Sequence, residues 1–485
     1  MIGSHRQEII WLGEKPAAAD LLEFERRNLH IICCDEKTCL QHLSTSRGIV
    51  FKYNSRKPGA FGKDWKNLAA TAFNQGLLLY VIADEVAAVN TIHRSIKLSD
   101  LTINDAAIRH QPPLYEVAEA FARHDSGREA NVTLEISPVS KKILELDDPR
   151  RSLLQRAFND CRSILLDPLT GGWSAKVFSV HAVFKDSRVG PRPLPFFAKI
   201  DSRNRINQEI KNYKEFTAHF IPFNLRPNLD ETRCFCGAAE GILVGNFVEQ
   251  SESLRDVAIR GAAQPAIHSL FDNTLRGWRQ QASKREKIIA EALSGVFVPS
   301  RVTKPRFEMA RKLGASKRPD ELLAIAENFP VQGYLEAPIH ADLHCFNVRV
   351  SGFDAILIDF ALTRAGALVA DPASLEISLA FERTGNEDDN ASWMKTVDTL
   401  YSEAFLERAP PPANEPRPRE WLWTVIRQIR LIALADQVSD GEYAIAVALY
   451  LLRLTTFSAK TPEEEFRNAY AYVLAERIIT SRMSR

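Results

Sequence analysis

The sequence predicts an α/β region with a doubly wound parallel sheet, followed by an α+β region that has a β-rich small lobe and a helical large lobe. Apolar strand-like runs alternate with helical stretches over the first third of the chain, a pattern typical of parallel sheets. Strand-like runs return between residues 176 and 249, and most of the chain after residue 252 has helical periodicity. We therefore predict regions at 1–140, 150–250 and 251–485.

The predicted elements of the first region follow one another as strand and helix. Strands are predicted at Ile9–Leu12, His30–Cys34, Gly48–Tyr53 and Gly76–Ala83, and helices at Ala17–Arg27, Lys63–Asn74 and Tyr115–Arg123. The polar stretch Ser126–Ser140, which contains the strand-like run Asn131–Ile136, is interpreted as either a linker or a final strand.

The second region begins with a predicted helix and continues in strands. The helix is predicted at Ser152–Ile164, and strands at Lys176–Phe184, Pro195–Ile200 and Gly241–Glu249. In the third region, the mixed-charge cluster Lys284–Lys287 is interpreted as a solvated helix face.

Composition and charge exclude several function classes. Of 485 residues, 45% are hydrophobic and 25% charged, as in ordinary globular proteins, and the net charge of +1 argues against nucleic acid as a partner. No apolar run approaches the roughly 18 residues of a membrane span, so we expect no membrane association. The seven cysteines are scattered without paired CxxC motifs, which favours a reducing cytoplasmic setting over a zinc site.

The strongest chemical signal is the segment His340–Asn347 together with Asp359. Phosphoryl transfer requires groups that bind the phosphates, a cation beside them, metal ligands, and a group that orients the nucleophile. Asp342 can accept the proton of an attacking hydroxyl, and Asn347 and Asp359 offer the hard oxygen ligands that magnesium prefers. The apolar runs 348–350 and 356–358 can pair as antiparallel strands, which would return Asp359 beside Asn347.

Two histidines flank this candidate base. We expect His340 to brace the loop through hydrogen bonds rather than to perform chemistry. His344 either supports the loop or approaches the transferred phosphate, and the sequence leaves both roles open.

Upstream residues supply candidates for the nucleotide grip. Gly171 and Gly172 lie between a helix and a strand, where backbone amides could approach phosphate, although such turns are more often plain hairpin connections. Lys199 lies in an otherwise apolar strand, and Glu209 on the following helix could be its anionic partner. Taken alone, Lys199 would be interpreted as an exposed edge-strand lysine.

The pattern HxDLHxxN followed by IDF resembles the aminoglycoside phosphotransferase and choline kinase group of the protein-kinase-like superfamily. The resemblance covers about residues 165–480. It implies that Asp342 is the catalytic base, that Asn347 and Asp359 bind Mg²⁺, and that Lys199 contacts the ATP phosphates. Glu209 is then the implied partner of Lys199, with Glu215 as the alternative.

The resemblance also assigns supporting positions. It implies a hinge at Leu243–Glu249 whose backbone meets adenine, with Phe247 and Val248 as cofactor-binding residues. It also implies that Asp371 supports the catalytic loop. Two positions depart from the family pattern: Ala341 replaces the most common glycine, and Ala361 stands where kinases often carry glycine.

The element spacing of the first region resembles response-regulator receiver domains. A phospho-accepting receiver needs acidic residues after its first strand and an aspartate at the end of its third. Here the first strand is followed by Gly13-Glu14, and the third ends in Lys52-Tyr53-Asn54. We predict a receiver-like domain that lacks a phospho-acceptor and offers a protein partner a docking surface, in a bacterial regulatory or signalling context.

The leading hypothesis is thus a kinase that uses ATP and Mg²⁺ to phosphorylate a hydroxyl group of a small molecule or protein. A second hypothesis is a binding module, in which a pseudokinase senses nucleotide and acts in an assembly. A third is nucleotidyl transfer, with the nucleotide bound in a reversed pose.

Overall fold

The structure is a computed structural model, and it divides into two compact units. It describes residues 7–35, 38–43, 45–55, 63–95, 106–124, 127–138, 148–169, 176–186, 188, 190, 192–246, 250–293, 295–329, 332–382, 390–402 and 419–483. The first unit comprises Met1–Ile210 and Asn228–Phe247, and the second comprises Lys211–Pro227 and Val248–Arg485.

The first unit opens with a five-stranded parallel sheet in the order β2-β1-β3-β4-β5. Its strands are β1 (Glu8–Leu12), β2 (His30–Cys33), β3 (Ser46–Tyr53), β4 (Leu78–Ala83) and β5 (Ala106–His110), and its helices are α1 (Ala18–Glu25), α2 (Lys63–Asn74), α3 (Val86–Ser95) and α4 (Leu114–Arg123). This strand order is that of flavodoxin-like doubly wound folds.

Helices cover both faces of this sheet. Phe24 of α1 and Phe121 of α4 share one apolar cluster with Ile9 and Trp11 of β1. Side chains of α2 and α3 pack with the opposite faces of β1, β3 and β4 in a second cluster. The predicted doubly wound parallel sheet is therefore confirmed, whereas the relation to receiver domains stays a prediction.

The first unit also contains a six-stranded sheet in the order β10-β11-β9-β8-β7-β6. Its strands are β6 (Glu135–Pro138), β7 (Cys161–Pro168), β8 (Lys176–Phe184), β9 (Leu194–Ser202), β10 (Phe235–Cys236) and β11 (Glu240–Asn246). Its helices are α5 (Asp148–Ala157) and α6 (Arg203–Asn212), and the last two residues of α6 belong to the second unit. All neighbouring strands are antiparallel except β6 and β7, which are parallel. Its core joins α5 to β7, β8, β9 and β11.

Two sequence interpretations change in this sheet. The predicted helix Ser152–Ile164 is wrong beyond Ala157, because Cys161–Pro168 forms strand β7 with Cys161, Ile164 and Leu166 buried against α5. The segment near Asn131–Ile136 does end in a strand, β6, but that strand joins this second sheet rather than the first.

The second unit is mainly helical, with two small antiparallel sheets, β12-β15-β16 and β13-β14-β17. The strands are β12 (Glu252–Ser253), β13 (Ser283–Ile288), β14 (Gln332–Ile339), β15 (Val348–Ser351), β16 (Asp354–Leu357) and β17 (Arg364–Ala367). The helices are α7 (Leu254–Ile259), α8 (Gln264–His268), α9 (Arg276–Arg279), α10 (Ile289–Ala292), α11 (Lys304–Lys312), α12 (Pro319–Glu327), α13 (Ala370–Phe381), α14 (Asn390–Leu400), α15 (Glu420–Asp436), α16 (Glu442–Leu454) and α17 (Pro462–Met483).

The helical core of this unit forms around α13, whose twelve residues are all buried. An ion pair inside it joins Glu376 of α13 to Arg430 of α15 at 2.7 Å, with both side chains fully buried. The Tyr443 hydroxyl donates to the same carboxylate at 2.8 Å. Charges this deep persist only when paired and hydrogen-bonded, so the pair fixes the packing of α13 against α15.

The predicted helix face at Lys284–Lys287 is wrong, because these residues belong to strand β13. Arg285 instead pairs with Glu336 of β14 at 2.6 Å across the sheet. Cross-strand pairs of opposite charge stabilise a sheet, which explains how so polar a segment forms a strand. Among the described helices, none has the length and apolar character needed to cross a membrane.

Candidate functional site

The loop His340–Asn347 connects β14 to β15 in the second unit. Strands β15 and β16 pair as the sequence predicts, with Val348 opposite Leu357, and the Ile358 amide donates to the Asn347 carbonyl at 3.0 Å. The buried side chains of Val348 and Leu357 anchor this hairpin in the core. The hairpin therefore brings Asp359 back beside Asn347.

Asp371, in the first turn of α13, holds the beginning of the loop. Its carboxylate accepts the amide of His340 at 2.7 Å and the amide of Ala341 at 3.0 Å. Burial raises the pKa of Asp371, and His340 and the two amides oppose that rise. This geometry is the loop support that the family resemblance implies for Asp371.

Ala341 has a left-handed backbone conformation, with φ of +60°. A residue with a Cβ adopts this conformation at a cost of about 1–2 kcal/mol, whereas glycine adopts it freely. The left-handed conformation thus explains why the family pattern favours glycine at this position. Here the two hydrogen bonds to Asp371 hold alanine in the same conformation.

His340 braces the loop against the segment that carries Asp359. Its imidazole is wholly buried, its Nε2 lies 2.9 Å from the Ile358 carbonyl, and its ring meets Phe360 edge-on at 5.8 Å. No hydrogen-bond partner for its Nδ1 is found among the described residues. A buried ring in these contacts positions the loop rather than meeting an acceptor.

Asp342 is the carboxylate of the loop, with 34% of its side chain exposed, and an arginine holds it. Arg453, in the last turn of α16, reaches Asp342 Oδ1 with Nη2 at 2.7 Å and the Ala341 carbonyl with Nη1 at 3.4 Å. The guanidinium also lies 5.7 Å from the Tyr450 ring and 5.5 Å from the Phe457 ring. The carboxylate is therefore fixed through one oxygen while the other remains for a ligand.

Sequence reasoning missed Arg453. The available signal was a single arginine within the otherwise apolar end of α16, Leu451-Leu-Arg-Leu454. A charge inside such a run needs a partner. The sequence does not say which of the many acidic residues that partner is.

Asn347 and His344, both within the loop, bond to the Asp342 carbonyl. Asn347 is buried and donates from Nδ2 to the Asp342 carbonyl at 3.0 Å, so its Oδ1 is the atom that could bind a cation. His344 donates its amide to the Asp342 carbonyl at 2.9 Å and accepts the Phe346 amide at Nδ1. Burial lowers the pKa of His344 against the opposing charges of Asp342 and Asp359, which favours a neutral ring at neutral pH.

The residues after Asp359 are bonded to Asn212, which is the last residue of α6 and belongs to the second unit. Asn212 donates from Nδ2 to the carbonyls of Phe360 at 3.1 Å and Ala361 at 2.9 Å. The Tyr213 ring packs edge-on against Phe360 at 6.1 Å. These contacts hold the segment that contains Ala361, the position where kinases often carry glycine. Nothing in the sequence indicated them.

In the first unit, Lys199 of β9 and Glu209 of α6 form a buried ion pair. The Lys199 Nζ lies 2.8 Å from Glu209 Oε2, and the two side chains are only 9% and 5% exposed. Lys199 is therefore not the exposed edge-strand lysine of the plainer interpretation, since β9 lies between β8 and β11. The alternative partner, Glu215, is exposed.

Four predicted site residues lie outside the described residues: Gly171, Gly172, Phe247 and Val248. The glycine turn and the hinge accordingly stay predictions. Within the described ranges, no group of three or more His, Cys, Asp or Glu side chains is arranged to hold a metal ion. A cation at Asn347 and Asp359 would take its other ligands from phosphate and water, as magnesium commonly does.

No protein-family model and no curated protein matches the sequence. Solved structures to which this chain is similar include an amicoumacin kinase in complex with AMP-PNP and Ca²⁺, at 13% identity over 65% of this chain and 88% of that one, with a TM-score of 0.35. They also include the aminoglycoside phosphotransferase APH(3'')-Id from Streptomyces rimosus (17% identity, 58% and 96% coverage, TM-score 0.31). A choline kinase from Cryptosporidium parvum is a third (11% identity, 66% and 87% coverage, TM-score 0.33). Because these identities and TM-scores are low, a functional proposal rests on the geometry of this chain's own residues.

Proposed function

We propose that the chain is an ATP- and Mg²⁺-dependent phosphotransferase that moves the γ-phosphate of ATP to a hydroxyl group. The observation that carries this proposal is the loop between β14 and β15. It places a partly exposed carboxylate, Asp342, beside a buried Asn347, and the hairpin returns Asp359 to the same place. One base and two oxygen ligands are what phosphoryl transfer asks of this part of a protein.

Asp342 is the proposed base. Arg453 engages its Oδ1, so Oδ2 is the oxygen that would orient the acceptor hydroxyl and take its proton. His340 and Asp371 hold the backbone on either side of the loop and act as positioning residues. A base held this way starts each turnover in a reactive orientation, which is a main source of rate in such reactions.

Asn347 and Asp359 fit a magnesium ion. The amide nitrogen of Asn347 is already used as a donor to the Asp342 carbonyl, which assigns its oxygen to the cation side. Asp359 follows a buried strand and has a φ of +64°, a backbone conformation that directs it out of the strand line. When bound, the cation would offset the negative charge of the β- and γ-phosphates.

Lys199 is the proposed contact to the phosphates, and Glu209 fixes its position. A lysine in a buried sheet position must be paired, and the 2.8 Å bond to Glu209 supplies that pairing. The acceptor is proposed to be a small molecule or a protein. Attachment to a parallel-sheet domain without the receiver phospho-acceptor favours a regulatory role and a protein partner for that domain.

The test is label transfer from ATP. Purified protein with Mg²⁺ receives γ-labelled or α-labelled ATP, with and without a metabolite extract, and label on protein and small molecules is counted. We expect γ-label transfer and its loss in Asp342→Asn and Asp359→Asn. Transfer of α-label would instead establish nucleotidyl transfer, and tight nucleotide binding without turnover would establish a binding module.

A matched pair of variants tests the nucleotide grip. Glu209→Ala removes the partner of Lys199, whereas Glu215→Ala removes an exposed glutamate one helical turn and a half further on. We expect weaker ATP binding only for Glu209→Ala, as for Lys199→Ala. Equal ATP affinity in Lys199→Ala and in the unaltered protein would refute the assignment of Lys199.

A further inference from the structure

In the first unit, a buried side chain of α2 bonds the parallel-sheet domain to the second sheet. Asn74, the last residue of α2, is 3% exposed, and its Oδ1 accepts the amide of Ala238 at 2.9 Å. Ala238 lies in the turn between β10 and β11, residues 237–239. A Cβ at Gly237 would collide with Asn74 Oδ1, so glycine at this position is what allows Asn74 to reach the turn.

The same turn holds the beginning of α6. The Arg203 amide donates to the Ala239 carbonyl at 2.9 Å, and Arg203 Nη1 donates to the Gly237 carbonyl at 3.0 Å. Cys236, just before the turn, lies 3.1 Å through its Sγ from Asn207 Oδ1. The turn at 237–239 is therefore bonded on one side to α2 and on the other to the first turn of α6.

Helix α6 carries Glu209 only six residues after Arg203, about 9 Å along the helix axis. Glu209 in turn fixes Lys199 through the 2.8 Å ion pair. A displacement of the first turn of α6 therefore moves Glu209 with it, since a helix of this length shifts as a rigid element. In kinase-type sites, the lysine–glutamate pair must be in place for phosphate binding.

We propose that Asn74 is a positioning residue: by holding the turn 237–239, it places α6 so that Glu209 pairs with Lys199. The parallel-sheet domain would thereby set the nucleotide affinity of the second sheet, an inference that rests on the proposed function for the role of Lys199. A residue 125 positions before Lys199 is then part of the apparatus that prepares the site. The plainer alternative is that Asn74 only satisfies a buried amide between two sheets.

Two measurements on the full chain separate these roles. Asn74→Ala is compared with the unaltered protein for Mg²⁺–ATP affinity by calorimetry and for hydrogen exchange of the α6 amides. Leaving the Ala238 amide without its acceptor should weaken ATP binding about tenfold and speed exchange in α6. Asn74→Asp keeps an acceptor oxygen at the same place and should bind ATP within about twofold of the unaltered protein.

Arg128→Ala is the matched control. Arg128 lies in the segment after the parallel-sheet domain, and its side chain bonds to Asn159 and Asp160 rather than to residues 237–239. We expect it to lower the melting temperature while leaving ATP affinity and α6 exchange unchanged. Should Asn74→Ala fail to fold, Gly237→Ala disturbs the same contact from the other side and should give the same two changes.

The outcomes distinguish this inference from the proposed function. Unchanged α6 exchange in Asn74→Ala, or an equal effect from Arg128→Ala, overturns the positioning role. Equal loss of ATP affinity in Asn74→Ala and Asn74→Asp overturns it as well. If α6 exchange rises but the unaltered protein binds no ATP, the positioning role stands and the proposed function fails.

Discussion

Replacing Arg453 with alanine should slow phosphotransfer far more than it weakens ATP binding. The guanidinium makes a charge-assisted hydrogen bond to Asp342 at 2.7 Å and a longer one to the Ala341 carbonyl at 3.4 Å. Such a bond contributes about 1.5–3 kcal/mol when buried. Because Arg453 and Asp342 are 18% and 34% exposed, solvent screening places the value at the lower end, about 1–2 kcal/mol.

The kinetic effect should exceed this thermodynamic one. Without Arg453, the Asp342 carboxylate can rotate away from the acceptor hydroxyl, and a misplacement of about 1 Å costs on the order of 100-fold in rate. We therefore expect kcat to fall by roughly 10- to 100-fold with KM for ATP nearly unchanged. Arg453→Lys keeps the charge but not the forked geometry, so it should recover only part of the rate.

The assay is steady-state phosphotransfer with the acceptor, or ATP hydrolysis where no acceptor is known, alongside thermal unfolding. Arg477→Ala is the matched control, because Arg477 pairs with Asp398 on an exposed surface of α17. A change in KM for ATP without a change in kcat would refute the reasoning. So would an Arg453→Ala rate loss no larger than that of the control.

Three further predictions concern stability. Ala341→Gly should leave the free energy of unfolding unchanged or raise it by up to about 1 kcal/mol in urea titration, because glycine removes the left-handed strain while adding unfolded-state entropy; a loss above about 1 kcal/mol contradicts this. Arg430→Met should cost about 3–5 kcal/mol, since it leaves the Glu376 carboxylate buried without its cation; a change below about 1 kcal/mol contradicts this. Burial raises the pKa of Glu382 from 4.5 to about 7, so the folded state holds its proton while the unfolded state has lost it, and stability falls by about 3 kcal/mol as pH rises from 4.5 to 7. Glu382→Gln should flatten that part of the stability–pH curve, and an unaltered slope would refute the assignment.

The elements that the sequence predicts correctly are those marked by a short apolar run in their own residues. The central strands β1, β3 and β4 contain continuous apolar runs, and their burial on both faces is what such runs indicate. The β15–β16 hairpin is equally predictable, because two short apolar runs flank the turn at Gly352. These two runs are enough to predict that Asn347 and Asp359 lie side by side, with Asp342 in the adjoining loop.

What could not be predicted depends on contacts between distant residues. Strand β13 is polar, and only its pairing with β14 makes it a strand. Arg453 lies 111 residues from Asp342, and Asn74 lies 164 residues from Ala238, so nothing in the local sequence of either indicates its partner. Such contacts are set by the packing of whole helices and sheets.

The distribution of burial around the loop favours the proposed phosphotransferase over the binding-module hypothesis. His340, Asp371 and Asn347 are buried. Asp371 and Asn347 bond the backbone of the loop, and His340 bonds the Ile358 carbonyl. Asp342 keeps a third of its side chain open, and Arg453 orients it. The left-handed backbone of Ala341 and the burial of the Asp371 carboxylate both lower stability. Such unfavourable features persist where the surrounding structure enforces them, typically at functional sites. A module that only senses nucleotide would need the proposed phosphate contact at Lys199 and Glu209, but it would not need a carboxylate oriented by Arg453.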